Sequence, residues 1–394
     1  MAAISHADYL AIRRFPALDG LRAFAAVSVV IFHFGGKEWE FLSGWIGVQL
    51  FFVLSGFLIT TLALREESRF GRISLRNFYV RRVFRIMPVY FVLLGLTVFV
   101  WVVRGKFFGT PLQAAFPDYL LFWNEFVANN PFGHSWSLGI EQKFYFVWPL
   151  LAFGLLAAGG RAGGRRIAAT AGTMVLALAL IPPTLGSQQT AWSYHYFSIL
   201  CGCLLALGMH SRRGFAVVAP LTRPYVAIAV AIAFVGVHLA VRPGARLLGQ
   251  HAPGDLPGFV LVCPLYAIAV ALFLPAVITP GPVQRVLSAR PLVFVGERSY
   301  SLYLVQALAG FAVVSVYPSV DGTWKALAVI VIGLTAADVL YRCIELPLIK
   351  FGQRYVVPHK LPTSTDAPDS GQPRGARYDE GDRSPGRTRI VTTI

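Results

Sequence analysis

The sequence predicts an all-α integral membrane protein, a bundle of about ten transmembrane helices with a disordered C-terminal tail. Three observations predict it. Hydrophobic residues make up 56% of the 394 and charged residues only 14%, with a mean hydropathy of +0.60, whereas soluble domains run near a quarter charged. The apolar residues fall in blocks of about twenty, the length a helix needs to cross the hydrocarbon core. They do not alternate at period two, which argues against an outer-membrane barrel.

The N-terminal stretch to Pro16 is mixed and polar, and the first apolar block is long enough to span rather than be cleaved, so no removable signal peptide is expected. Crossings are expected at 17–35, 44–64, 84–103, 136–158 and 167–185, then at 192–209, 222–241, 257–278, 294–316 and 324–348. The segment 118–128 is too short to cross and reads as re-entrant or interfacial. After Pro358 the chain becomes rich in Pro, Gly, Ser, Asp and Arg. Such a segment cannot bury enough surface to offset its ordering entropy. Three regions follow: an N-terminal segment 1–16, a transmembrane domain 17–350 and a disordered tail 351–394, with no soluble catalytic domain at either end.

Orientation is read from the Lys/Arg bias of the loops. One set of alternate connections holds fourteen basic residues, from Arg65 to Arg290, and the opposite set holds five: Lys37, Arg104, Lys106, Arg242 and Arg246. The richer set is expected to be cytoplasmic, together with both termini. The net charge of +16 is therefore assigned to topology and anionic lipid rather than to nucleic acid. Cys201, Cys203, Cys263 and Cys343 lie in apolar blocks without metal-ligand spacing and are expected to be packing thiols.

An ionisable side chain at membrane depth is costly unless paired or hydrated, so each one is a candidate for function. In DGLRAFAAVSVVIFHF the first crossing carries Arg22 and His33. Eleven helical steps give about 16 Å of rise and about 1100° of rotation. The two residues therefore project from nearby faces about half a bilayer apart, and one extended ligand can touch both. From the residues alone, Arg22 is either an interfacial cation or a ligand contact. His33 is either a local cap or a general base in a wet cavity.

The fourth crossing begins HSWSLGIEQKFYFVWP, where Ser137, Glu141 and Tyr145 recur every four residues along one helical face. Trp136 and Tyr145 sit at interfacial level. Glu141 either orients an imidazole or lines a cavity, or is a structural carboxylate neutralised by Lys143 or an arginine from elsewhere. In RNFYVRRVFRIMPVY, Arg76, Arg81, Arg82 and Arg85 gather at the start of the third crossing among Phe78, Tyr79 and Phe84. Clustered guanidiniums suit phosphate through bidentate, charge-assisted bonds, and anchoring on anionic lipid gives the same pattern. Arg342 and Glu345 in YRCIELP are expected to form a helix-stabilising ion pair at i,i+3. Gly44, Gly47, Ser55 and Gly56 are expected to permit close helix contact. No Gly-rich nucleotide loop, HExxH or Ser-His-Asp signature occurs in a plausible context, and no metal is expected.

Taken in order, these segments resemble the acyltransferase type 3 family of membrane-bound acyltransferases, over nearly all of the chain to about residue 350. The resemblance rests on Arg22-x10-His33 after LDGLR, on the GVxxFFxxSGF pattern of Gly47 to Phe57, and on RRVFRIMPVY. It continues through HSWSLGIEQKFYFVWP, SYSLYL at 299–304 and YRCIELP at 341–347. It implies a ten-helix bundle that moves an acyl group, most commonly acetyl, from cytoplasmic acyl-CoA to a hydroxyl of a sugar, lipid-linked glycan or natural product. It also implies that Arg22 and His33 are essential and that the arginine cluster is a site for the phosphates of CoA. Two departures stand out. Val305 and Gln306 occupy positions where many members have an aliphatic or aromatic residue and a histidine, and His195 stands where many carry an arginine.

The reaction so implied is direct transfer, with His33 taking the proton of the acceptor hydroxyl as that oxygen attacks the thioester. An acyl-His intermediate is the alternative. Glu141 orients the imidazole, Arg22, Arg82 and Arg85 bind the acyl-CoA, and Ser137, Trp136 and Tyr145 give support. The setting is the bacterial inner membrane, and the acceptor a cell-surface glycan, a lipid-linked saccharide or a macrolide-like natural product. A secondary transporter or flippase is the rival from another class, because intramembrane Arg, His and Glu suit it equally.

Overall fold

The computed structural model describes residues 3–127, 130–157, 162–181, 192–251 and 257–357. The expected tail from Pro358 onward lies outside the described residues. Among those described, regular structure is helical, without a strand. Lipid leaves a backbone no other means of satisfying its polar groups short of a closed barrel. A short α1 (His6–Ala11) precedes α2 (Pro16–Phe34), α3 (Gly47–Phe70), α4 (Leu75–Val103), α5 (Trp136–Pro149) and α6 (Ala162–Ala179). Then come α7 (Ser193–His210), α8 (Pro224–His251), α9 (Gly258–Ile278), α10 (Ser299–Val316), α11 (Gly322–Leu340) and α12 (Leu346–Gln353).

Among the described residues seven stretches are long and apolar enough to cross a membrane: Pro16–Phe34, Gly44–Phe70, Leu75–Val103, Pro224–Gln250, Gly258–Ile278, Ser299–Val316 and Gly322–Gln353. The other three expected crossings fall on α5, α6 and α7. These are helices too, but α5 passes into a π-helical turn, Leu150–Leu155, and α6 and α7 have 18 residues each. The last part of the expected crossing 167–185 lies outside the described residues.

The central post is α3, whose membrane-spanning stretch is 83% buried. A Cβ built on Gly56 would lie 1.9 Å from the Ile199 carbonyl oxygen, and one on Gly202 2.0 Å from that of Val53. The main chains of α3 and α7 therefore touch. Gly44 and Gly47 do the same against Ser28 and Ala25 of α2. Small residues drive such contact in lipid, where dispersion replaces the hydrophobic effect. Helix α3 then stops at Gly71, whose φ of +73° and N–H bond to the Glu67 carbonyl close it with a left-handed cap.

Direct contacts sort the connections onto two ends. At one end His6 Nε2 donates to the His210 carbonyl at 3.1 Å, and Arg166 forks onto Glu67 at 2.7 Å for both bonds. Arg81 meets Glu66 at 2.6 Å, and Arg14 lies 3.8 Å from Glu297. At the other end Trp39 Nε1 donates to Thr323 Oγ1 at 2.8 Å, His238 Nε2 to the Leu42 carbonyl at 2.8 Å, and Arg242 pairs with Glu40. This is the same division of loops that the charge count makes.

Four expectations need correction. Residues 351–357 do not open the tail: the Asn77 side chain bonds both the carbonyl and the N–H of Val357, at 2.8 and 2.9 Å, and Phe351 and Tyr355 stack around Phe84. The crossing expected at 294–316 is broken after Glu297, where Arg298 turns aside to Asp338 at 2.6 Å. Helix α4 begins at Leu75, so the arginine cluster lies within it. Arg342 and Glu345 do not pair; Arg342 reaches Asp338 at 2.8 Å, while Glu345, 2% exposed, accepts from Ser301 at 3.2 Å. The turn Tyr341–Glu345 is π-helical, and its wider pitch takes i and i+3 off a common face.

The excursion between α4 and α5 folds back as short helices, Phe116–Leu120 and Asn124–Phe126. Lys143 of α5 clamps it, donating to Glu125 at 2.6 Å and to the Phe122 carbonyl at 2.7 Å. Gly139, one turn earlier, leaves the space: a Cβ there would lie 2.4 Å from Glu125 Oε2. Asn124 is held from below by Tyr90 Oη at 2.9 Å and Ser135 Oγ at 2.7 Å.

Two predictions follow from this packing. Gly56→Ala drives a methyl into backbone, so it should lower the melting temperature of detergent-purified protein by the equivalent of about 1–3 kcal/mol. Gly95→Ala, which meets nothing within 4 Å, should leave it unchanged. Lys143→Met strands the buried Glu125 carboxylate and should cost about 3–5 kcal/mol. The double variant Glu125→Gln/Lys143→Met should recover part of that loss in the same thermal measurement.

Candidate active site

Five of these helices and the short helix Arg290–Glu297 converge on one cavity of about 100 Å³. Arg22 enters it from α2 and Ser55 from α3. Arg82 and Arg85, one turn apart, enter from α4, and Ser137, Glu141 and Tyr145 from successive turns of α5. Ser299, Tyr300 and Tyr303 of α10, with Glu297 just before it, complete the polar lining. Val48, Phe51, Phe52, Ile86 and Leu138 supply an apolar wall.

Within this cavity Ser55 Oγ donates to Glu141 Oε1 at 2.7 Å. Arg22 donates to Asp19 at 3.2 Å. The Arg82 guanidinium lies 5.3 Å from the Tyr145 ring centre and 5.8 Å from that of Phe78. The basic cluster of α4 is thereby divided: Arg82 and Arg85 face the cavity, Arg81 turns to Glu66 and Arg76 is exposed. Lys143 is spent on Glu125 and does not neutralise Glu141. An assembly of three guanidiniums with two carboxylates and several hydroxyls is suited to a polyanion with a polar stem.

At the far end of the cavity Ser137 Oγ and Tyr303 Oη lie 2.9 Å apart, and the Tyr303 hydroxyl donates to the main-chain carbonyl of His134. His33 lies beyond this pair and does not line the cavity. It is solvent-accessible, although protein crowds its ring, with the Val29 carbonyl and the Gln306 side chain near it. His134, whose Nε2 donates to the Leu304 carbonyl at 3.0 Å, also interacts with His33.

The structure does not bring Glu141 to His33. Gly47 packs on Ala25, so Ser55, two turns further along the antiparallel α3, lies roughly 20 Å along the axis from His33. Glu141, bonded to Ser55, shares that level. Trp136 is likewise outside the cavity; its ring packs 6.1 Å from Phe52, 5.3 Å from Trp192 and 4.7 Å from His195. His195 belongs to a separate network, accepting from Gln49 Nε2 at 2.7 Å while Ser198 donates to Gln49 Oε1 at 2.7 Å.

Of the expected site residues the structure therefore gathers Arg22, Arg82, Arg85, Ser137, Glu141 and Tyr145 in one cavity, and sets His33 and Trp136 apart from it. Sequence reasoning passed over Ser55, taken as a packing residue, and over His134, Tyr300 and Tyr303. A signal for the tyrosines exists: Ser299, Tyr300 and Tyr303 in SYSLYL fall at i, i+1 and i+4, which places three hydroxyls on one helical face. Among the described residues no group of three or more His, Cys, Asp or Glu is placed to hold a metal ion.

A family profile described as an acyltransferase domain matches residues 15–342. The chain is 30% identical over 372 residues to the putative peptidoglycan O-acetyltransferase YrhL of Bacillus subtilis, an alignment covering 87% of this chain and 56% of that protein. It is 32% identical over 371 residues to the O-acetyltransferase OatA of Staphylococcus aureus, covering 86% and 58%. To the peptidoglycan O-acetyltransferase OatA of Listeria monocytogenes it is 26% identical over 375 residues, covering 86% and 56%. The chain thus spans a little over half the length of these curated relatives. No solved structure matches it. The profile runs from before Arg22 to just past the end of α11, and the chain belongs to the acyltransferase type 3 family.

Proposed function

We propose that this chain is a membrane-embedded O-acyltransferase that takes an acetyl group from acetyl-CoA and places it on a hydroxyl of a cell-surface glycan, with peptidoglycan the leading acceptor. The observation that carries the reading is the cavity with Arg22, Arg82 and Arg85 at one end. Glu297 also lines it and lies 3.8 Å from Arg14 of the N-terminal segment. That end carries the arginine-rich connections, which supports a cytoplasmic placement of both termini and of the donor site. The relatives' names support acetyl as the group and peptidoglycan as the acceptor.

In this reading the guanidiniums hold the phosphates of CoA by charge-assisted bonds, and the thioester arm runs along the cavity toward Ser137 and Tyr303. His33 lies past them, toward the opposite end. It takes the proton of the acceptor hydroxyl as that oxygen attacks the thioester carbonyl, and the thiol of CoA leaves. Glu141, held by Ser55, stabilises the arginine cluster from within the cavity rather than acting on the imidazole.

Purified full-length protein in nanodiscs, given radiolabelled acetyl-CoA and a muropeptide, should transfer label to the muropeptide. His33→Ala should lower that rate at least 100-fold while the protein stays monodisperse; an active His33→Ala variant refutes the assignment. Arg22→Gln and the double variant Arg82→Gln/Arg85→Gln should chiefly raise the KM for acetyl-CoA. Unchanged saturation by acetyl-CoA in all of them would show that the donor is another molecule.

A further inference from the structure

We propose that the open pocket at the His33 end of α4 is the acceptor subsite, holding a saccharide ring against Trp101 and a carboxylate of the same saccharide on Lys106. The inference rests on the reading of the acceptor as a cell-surface glycan, and it names the place and the chemistry that hold it.

Helix α4 ends in a turn that sets these two side chains together. Gly105 takes a φ of +66°, its N–H bonds the Val102 carbonyl at 2.9 Å, and the Lys106 N–H bonds the Trp101 carbonyl at 2.8 Å. Those two bonds make a Schellman motif closed by a left-handed glycine. It brings Lys106 back against the last turn beside Trp101, so main-chain bonds place both the cation and the ring. The pocket they line measures about 390 Å³, and Thr110, Leu112 and Asn130 add to its wall. Asn130 is held in place, its Oδ1 taking the Phe132 N–H at 3.1 Å and the Tyr119 hydroxyl. Thr110 donates its own proton to the Phe107 carbonyl at 2.6 Å, which leaves its oxygen able to accept from a sugar hydroxyl.

Position ties this pocket to the proposed chemistry. Phe34, next to His33, packs where a side chain at Gly310 would stand. The residue after that glycine, Phe311, packs on Trp101 with ring centres 5.1 Å apart. On the other side, the wall at Asn130 and Pro131 leads directly to His134, whose carbonyl takes the Tyr303 hydroxyl at the end of the donor cavity. Both routes end at the two places the reaction joins.

Charge points the same way. The connections at this end hold only Lys37, Arg104, Lys106, Arg242 and Arg246 as basic residues. Arg242 is paired with Glu40, and Arg104 lies over the Phe311 ring at 4.7 Å. Lys106 is exposed, and among the described residues no acidic side chain lines its pocket. A cation so placed complements a ligand that brings its own carboxylate. A sugar offers an apolar C–H face to the aromatic ring and hydroxyls to the polar wall. A phospholipid headgroup would use the lysine but has no ring for Trp101.

The test is calorimetric titration of the full chain in phosphatidylcholine nanodiscs with a muropeptide, and with the same muropeptide after its carboxylates are amidated. Wild-type protein should bind the first roughly tenfold more tightly than the second, and Lys106→Gln should abolish that preference. Trp101→Ala should weaken both roughly tenfold, and Trp101→Phe, which keeps a ring, should recover part of the loss. In the transfer assay the same variants should raise the KM for the muropeptide and leave that for acetyl-CoA unchanged. No muropeptide binding by the wild type, or equal binding by all four proteins, would overturn the inference. So would native mass spectra from phosphatidylglycerol nanodiscs in which Lys106→Gln loses bound lipid while its muropeptide affinity is intact, since the pocket would then be a lipid site. If the wild type acetylates the muropeptide with a KM that no variant alters, the function stands and this inference alone fails. If the variants lose muropeptide binding as expected but the wild type transfers nothing from acetyl-CoA, the donor reading fails and the subsite stands.

Discussion

Where α3 meets its neighbours, glycines let main chains touch: Gly44 and Gly47 against α2, Gly56 against α7, and Gly202 of α7 against α3. In lipid there is no water to expel, so two apolar helices gain by approaching closely rather than by hiding from solvent. A side chain at any of these positions separates the helices and takes the polar residues beside them out of register. Ser55 precedes Gly56. The same turn that lays the α3 backbone on α7 presents a hydroxyl to Glu141 on α5, and Val48 and Phe52 on the same helix wall the cavity above it. The register of α3 against α2 also separates Ser55 from His33, and with it the arginine end of the site from the histidine end.

Three guanidiniums in a membrane-embedded cavity are expensive unless each has a purpose or a partner. Two buried arginines elsewhere in the described residues are matched: Arg166 by a two-bond fork on Glu67 and the Ala152 carbonyl, Arg298 by Asp338 and the Phe294 carbonyl. Arg166 and Arg298 also lie over the rings of Phe153 and Phe294. The cavity arginines are matched less fully. Arg22 has Asp19, while Arg82 rests on aromatic faces, and Glu141 and Glu345 contribute field rather than close pairs. That contrast between satisfied structural arginines and loosely held cavity arginines supports the proposed role of the cavity in binding a polyanion.

Helix α5 shows how one segment serves two masters through its period. Ser137, Glu141 and Tyr145 line the cavity along one face, and Gly139 and Lys143 clamp the excursion 116–127 along another. The step of two residues between the sets turns the helix by about 200°, which points them nearly opposite ways. Read as a string, HSWSLGIEQKFYFVWP makes Lys143 the natural partner of Glu141. Read on the helix, the two are on different sides, and Lys143 belongs to Glu125.

The sequence by itself determined the class of solvent, the helical architecture, the division of the loops onto two ends, and the segments where polar residues enter the membrane. These follow from composition, block length and the spacing of charge, all of which are local. Arg22, Arg82, Arg85, Ser137, Glu141 and Tyr145 were legible because costly side chains in apolar blocks announce themselves. Only the tertiary structure decided which of them meet. The pairing of Glu141 with Ser55, the turning of Glu345 inward by a π-helical turn, the break at Arg298 and the separation of His33 from Glu141 depend on the register of one helix against another. That register is set by backbone contacts at glycines, whose partners lie far away in the chain, as Gly56 does from Ile199 and Gly296 from Asp19. No local pattern in the sequence encodes the depth at which two helices touch, and it is that depth which puts Glu141 with the arginines and leaves His33 apart from them.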